Sequence, residues 1–216
     1  MIIIGVSGVA RTGKDLFCNI FKKQMKDRYG LIVTQMALAN ELKKDCEEFL
    51  RNKCNLDVWT NDTDEKTKFR NLLVWYGDLK RKETNGRYWV EKLAKSINEC
   101  KSDIILVSDI RYAHYPVDEV QWIKDEMKGR LVHISKYEMI SIPRKQGDKE
   151  VFEKVFVNPP NEHERINDPK VKAVADYRIE WEDRVHDGVT DLLNDKYLND
   201  VVKEFVDSNS STHTWF

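Results

Sequence analysis

Proline and glycine are scarce in this chain, with five and nine residues in 216, and four of the five prolines fall between Pro143 and Pro169. Such a composition excludes collagen-like and low-complexity architectures and leaves long uninterrupted stretches free to form helices and strands. Cysteine is also sparse: Cys18, Cys46, Cys54 and Cys100 include no C-x-x-C pair and no His or Cys at zinc-ligand spacing. A chain of this length has no need of disulfide staples, so the expectation is free thiols in a reducing compartment. No apolar run reaches the ~20 residues that span a bilayer, and Met1–Ala10, the longest, lacks a basic flank. Excess charge of one sign is missing as well. Thirty-six basic against 37 acidic residues leave a net charge of −1, which argues against a nucleic-acid partner or a membrane surface. These absences predict a soluble, cytoplasmic, singly folded protein.

The 41% of hydrophobic residues is enough to fill a core, and their arrangement alternates in period. Ile2, Ile3, Ile4 and Val6 form a continuous apolar run typical of a strand covered on both faces. Leu16, Phe17, Ile20 and Phe21 then recur at helical spacing. Further strands are expected at Leu31–Met36, Ile104–Val107, Leu131–Ile134 and Asp176–Trp181. Helical stripes begin at Leu38, Phe69, Trp89, Val120 and Leu192. Ser141–Lys172, rich in proline and charge, reads as a mobile excursion, and Ser208–Phe216 as a frayed tail. Alternating strands and helices predict an α/β fold of three layers, a mostly parallel five-stranded sheet between helices, as one domain over residues 1–207. In such a sheet the strand C-termini share one edge, where ligands bind.

Two motifs lie at that edge. Gly8-Val9-Ala10-Arg11-Thr12-Gly13-Lys14-Asp15 has the form G-x-x-x-x-G-K between a strand and a helix. Its glycines let main-chain amides curl around an anion, the helix start adds positive potential, and the lysine reaches the outer phosphates. Gly8, Ala10, Arg11, Thr12, Gly13, Lys14 and Asp15 are therefore the candidate ATP-binding residues. Asp15 replaces the usual hydroxyl and is a candidate Mg2+ ligand. Ser108-Asp109-Ile110-Arg111 closes the strand at Ile104–Val107 and offers a second metal carboxylate, Asp109, with a cation, Arg111, beside it.

Taken with Lys43, Arg70-Asn71-Leu72-Leu73, Gly77, Arg81, Trp89-Val90, Asp109-Ile110-Arg111-Tyr112, Glu119 and Ala175-Asp176-Tyr177-Arg178-Ile179, the chain resembles the bacteriophage deoxynucleoside monophosphate kinases. These are phosphate-loop (P-loop NTPase fold) kinases of the adenylate-kinase-like group, and the pieces run in order from Ile2 to Ile179. The resemblance implies transfer of a phosphoryl group from ATP, with Mg2+, to a deoxynucleoside monophosphate. It implies catalytic roles for Lys14, Arg70 and Arg111, and an acceptor site of Lys43, Arg70, Arg81, Trp89 and Arg111 within a helical segment at about 38–100. A lid at about 141–172 would bring Arg144, with Lys145, over ATP. Small nucleotides are the implied partners, with a homodimer left open. The chain departs from that pattern at Leu16, where Thr is common, in the longer segment Ala113–Asp118, and at His163-Glu164, a faint echo of a His-x-Ser-Glu element. Animal phosphomevalonate kinases share the Gly-Lys-Asp loop, so a small-molecule kinase of that type stays open, as does a phosphate-loop hydrolase or switch.

Overall fold

Strand β1 (Ile2–Ser7) is buried over five of its six residues because it has a parallel neighbour on each side and a helical layer on each face. A computed structural model describes residues 1–142, 151–185 and 188–210 of the chain. After β1 come helix α1 (Lys14–Tyr29), strand β2 (Val33–Met36), and helices α2 (Leu38–Cys54), α3 (Thr63–Glu83) and α4 (Arg87–Asn98). Strand β3 (Ile104–Ile110) follows, then a single helical turn α5 (Glu119–Gln121) that runs into a π-helical turn, Trp122–Glu126. The last part comprises β4 (Arg130–Ile142), β5 (Val151–Phe156), α6 (Glu162–Val174), β6 (Tyr177–Glu182) and α7 (Lys196–Ser210).

Five strands lie parallel in the order β2-β3-β1-β4-β6, and β5 pairs antiparallel with the far half of β4. Alternation along the strands divides the core in two. Ile4, Val6, Leu106, Val132 and Ile134 face α1 and α7, where Phe17, Phe21 and Phe205 form an aromatic cluster. Ile3, Ile105, Val107 and Leu131 face the opposite layer, with Val90, Leu93, Ile97, Trp122 and Val171. A separate cluster of Cys46, Leu50, Val58 and Phe69 fastens α3 to α2. The α/β architecture and its mostly parallel sheet therefore follow the periodicity of the apolar residues.

Among the described residues the sheet has six strands rather than five, because β4 runs for 13 residues to Ile142 instead of stopping near Ile134. Its extension pairs with β5 as a hairpin whose apolar residues are largely exposed, including Ile140 and Phe152. Alternation is weak there because neither face of the hairpin is covered. The expected excursion also contains α6, whose start is capped by Asn161 Oδ1 accepting from Glu164 N at 2.9 Å. Pro169 sits inside this helix. Its missing N–H costs one intrahelical bond, which the burial of Val171 and the contacts of Asp168 and Lys172 offset. Arg144 and Lys145 lie outside the described residues, as does the tail beyond Ser210; Ser208–Ser210 complete α7 rather than fray. All four cysteines are free thiols: Cys18 and Cys46 buried, Cys100 half-buried, Cys54 exposed. Among the described residues no helix is long and apolar enough to cross a membrane.

Candidate active site

The chain leaves β1 at Ser7 and must reverse sharply before α1. Gly8 has φ +131°, and a Cβ there would stand 2.3 Å from the Ile134 carbonyl oxygen, so only glycine fits. Gly13 has φ +88°, and its Cβ would come 2.7 Å from Cζ2 of Trp181. That indole sits under the loop from β6 and donates Nε1–H to Thr12 O at 2.8 Å, while Thr12 Oγ1 donates to Val9 O at 2.9 Å. The loop is thus shaped by its own main chain and underpinned by one tryptophan.

Lys14 opens α1, where the free amides of the first turn add positive potential. Its ammonium folds back to donate to Gly8 O at 2.7 Å and Val9 O at 2.8 Å. Burial pushes its pKa down, Arg111 pushes the same way, and Glu164, Asp15 and Asp109 pull it up. Those five charged side chains therefore share one electrostatic neighbourhood. Asp15, exposed in the first turn of α1, accepts from Gln35 Nε2 at 2.8 Å. Arg11 is exposed in the left-handed region, φ 69°.

At the end of β3, Asp109 accepts from Leu38 N and Ala39 N, both at 2.8 Å. Ala37 supplies no side-chain cap, so this carboxylate caps α2 from a neighbouring strand. Burial raises the Asp109 pKa, against the lowering effect of those two amides and of Arg111 and Lys14. The next residues wrap around two adjacent buried carboxylates. Glu119 Oε2 accepts from Arg111 N at 2.6 Å and Tyr112 N at 3.1 Å. Asp118 Oδ2 accepts from His114 N at 3.0 Å and Tyr115 N at 3.1 Å, and binds the Arg81 guanidinium. Burial pushes the Glu119 carboxyl up to about 8. The outcome is an Arg111 side chain held out over the phosphate-type loop.

There it meets a residue that the sequence offers only as a faint echo of a family element and not as a site residue. Glu164, in the first turn of α6, accepts from Ala10 N at 2.7 Å through Oε2 and from Arg111 Nη1 at 3.1 Å through Oε1. An asparagine followed three residues later by glutamate is a helix-start signature, and Asn161-Glu162-His163-Glu164 carries it. The flanking prolines masked it.

The structure brings together Gly8, Ala10, Thr12, Gly13, Lys14, Asp15, Asp109 and Arg111. Four of the five expected acceptor residues lie outside this group. Arg81 is buried, paired with Asp118 and stacked 3.6 Å from the ring centroid of Tyr112, because it neutralises the carboxylate that folds the 111–118 segment. Trp89 is a core residue, edge-on to Tyr76 and Tyr88, with Nε1 donating to Gly77 O at 3.0 Å. Lys43 packs on Trp59, 5.1 Å from its centroid, and burial, then Lys66, lowers its pKa. Arg70 is exposed on α3 and forms no ion pair among the described residues; Trp75, on the same helix, is 61% exposed.

Two carboxylates, Asp15 and Asp109, flank Lys14, and no group of three His, Cys, Asp or Glu able to hold a metal occurs among the described residues. That donor set suits Mg2+, which commonly takes one or two protein carboxylates and completes its shell with phosphate oxygens and water.

Residues 6–129, more than half the chain, match the phosphomevalonate kinase family, so the protein is a small-molecule phosphotransferase. It belongs to the phosphomevalonate kinase family. No curated protein matches the sequence.

Proposed function

We propose that the protein binds ATP at the Gly8–Asp15 loop as a P-loop kinase and transfers its terminal phosphoryl group to the phosphate of a small phosphomonoester, making a diphosphate. One observation carries this reading: the Ala10 amide and Arg111 each bind one oxygen of the Glu164 carboxylate, a negatively charged group already seated at the loop and within electrostatic reach of Lys14. The attacking atom in such a reaction is a phosphate oxygen, anionic near neutral pH, so no general base is needed and positioning with charge neutralisation does the work. Lys14 releases the loop carbonyls and turns to the outer phosphates of the donor. Arg111 bridges donor and acceptor, its guanidinium matching a phosphate in two-point geometry. Asp15 and Asp109 would hold Mg2+, which when bound offsets charge on the donor phosphates.

The family match makes mevalonate 5-phosphate the first acceptor to test. A deoxynucleoside monophosphate is the second reading; Trp75, exposed on the same helix as Arg70, can stack on a base now that Trp89 is taken up by the core. The experiment is ADP formation with mevalonate 5-phosphate, dGMP, dTMP, dCMP and dAMP. Acceptor-dependent ADP with any of them supports the kinase reading and names its substrate. Phosphate release from ATP that ignores every acceptor overturns it in favour of a hydrolase.

A further inference from the structure

We infer that Glu164 is a tethered stand-in for a substrate phosphate: its carboxylate occupies the anion position of the loop, and a polyphosphate must displace it and lift the first turn of α6. The inference rests on the proposed phosphate-binding role of the loop and adds the residue that sets its affinity.

A glutamate three residues after an asparagine cap ordinarily folds back on its own helix start. Glu164 keeps only a 3.3 Å contact from Asn161 Nδ2 and spends both oxygens on the site, at 2.7 Å to Ala10 N and 3.1 Å to Arg111 Nη1. Its side chain is 10% exposed, although its neighbours Glu162, His163 and Arg165 are exposed. These are the interactions a phosphate oxygen would make with a loop amide and an arginine. A cavity of about 30 Å³ lies among Gly8, Arg111, His163, Glu164 and Asp168, and the loop amide of Ala10 beside it is already taken by the carboxylate at 2.7 Å. A phosphate can reach Ala10 N only by moving the carboxylate.

The rest of α6 is built to stay while its start moves. Val171 is buried, Asp168 meets His133 Nε2 at 3.1 Å, Lys172 donates to Ser135 Oγ at 3.0 Å, and Lys124 Nζ donates to Val174 O at 2.8 Å. Toward the loop, the first turn is held by Glu164 alone among the hydrogen bonds and ion pairs found there. An internal carboxylate at high effective concentration competes with any ligand for the same amide.

The test is calorimetric titration of inorganic tripolyphosphate into the intact protein and into its Glu164→Ala and Glu164→Gln variants, with Arg165→Ala as a neighbouring control. Removing the competitor should tighten binding about tenfold in Glu164→Ala, the worth of a charge-assisted hydrogen bond, with Glu164→Gln in between and Arg165→Ala unchanged. Hydrogen exchange should show the first turn of α6 losing protection in the intact protein when tripolyphosphate binds. Urea unfolding of each variant establishes that it is folded, and if Glu164→Ala is not, Glu164→Gln decides. Equal or weaker binding by the folded variants, with the intact protein binding normally, overturns the inference alone. Binding by none of them overturns the loop's phosphate role and the inference together.

Discussion

Two loops leave adjacent strands at the same edge of the sheet and are held in opposite ways. The loop after β1 takes its shape from main chain: two glycines in conformations closed to other residues, a carbonyl of β4 pressed against one and the Trp181 ring against the other. The segment after β3 takes its shape from side chains, with Asp118 and Glu119 collecting four backbone amides at Arg111, Tyr112, His114 and Tyr115. One presents amides to an anion and turns on two glycines, with the Lys14 ammonium on its carbonyls and the Glu164 carboxylate on its Ala10 amide. The other presents a guanidinium and depends on two buried acids, one of them balanced by Arg81. A receptor for charge can therefore be built either way, and the second form is the one whose main-chain path rests on the protonation and ion pairing of buried acids.

The comparison breaks most visibly at Gly8. Gly8→Ala places a methyl group 2.3 Å from a backbone oxygen at positive φ, and should cost about 3 kcal/mol in urea unfolding while abolishing tripolyphosphate binding. An unaffected variant would mean that main-chain shape does not govern this loop. Asp118→Ala strands the buried Arg81 charge and frees two amides, for an expected loss of about 3 kcal/mol or more. Its kinetic signature should be a raised acceptor KM with tripolyphosphate affinity retained; loss of both together would show the two loops to be one unit.

Acidity separates them further. Glu119 is raised from 4.5 to about 8 in the folded protein, so between those values the native state holds a proton that the unfolded chain has lost. The contribution to stability is complete below about pH 4.5 and is lost as pH rises to about 8. Glu119→Gln, whose carbonyl can accept from the same two amides, should flatten that decline in the urea midpoint; an unchanged slope would remove Glu119 as its source. The smallest effect belongs to Trp181→Phe, which keeps a ring beneath Gly13 but deletes the bond to Thr12 O. Denaturation should register about 1 kcal/mol, and a null result would remove this bond as a support of the loop.

The parts of this molecule that could be read in advance are those governed by local periodicity or by glycine. The buried strands, the helices α1 to α4 and the Gly8–Asp15 turn belong to this group, since a run such as Ile2–Val6 has few other uses. The β4–β5 hairpin escaped because it has no covered face to impose alternation, and α6 because Pro159, Pro160 and Pro169 outweigh one Asn-x-x-Glu signal. Long-range pairing was the deeper obstacle. That Arg81 would be consumed by Asp118, or Trp89 by Gly77 O, depends on helices meeting across the fold, and a charged or aromatic residue on a helix looks the same from the sequence whether it meets solvent or a partner. Glu164 and Ala10 are 154 residues apart, a pairing that no spacing rule reaches.

Strand β4 has partners at three heights: β1 along Arg130–His133, β6 along Val132–Tyr137 and β5 along Tyr137–Ile142. A continuous ladder of this kind is a girder rather than a joint, since folding it at the sheet border would tear bonds to two neighbours at once. Even Val157 is moored to it, through the carbonyl of Lys136 at 2.9 Å. Whatever lift the first turn of the helix after the hairpin performs must accordingly be taken up, on the hairpin side, within Asn158–Asn161, and the paired prolines there confine it to a narrow arc.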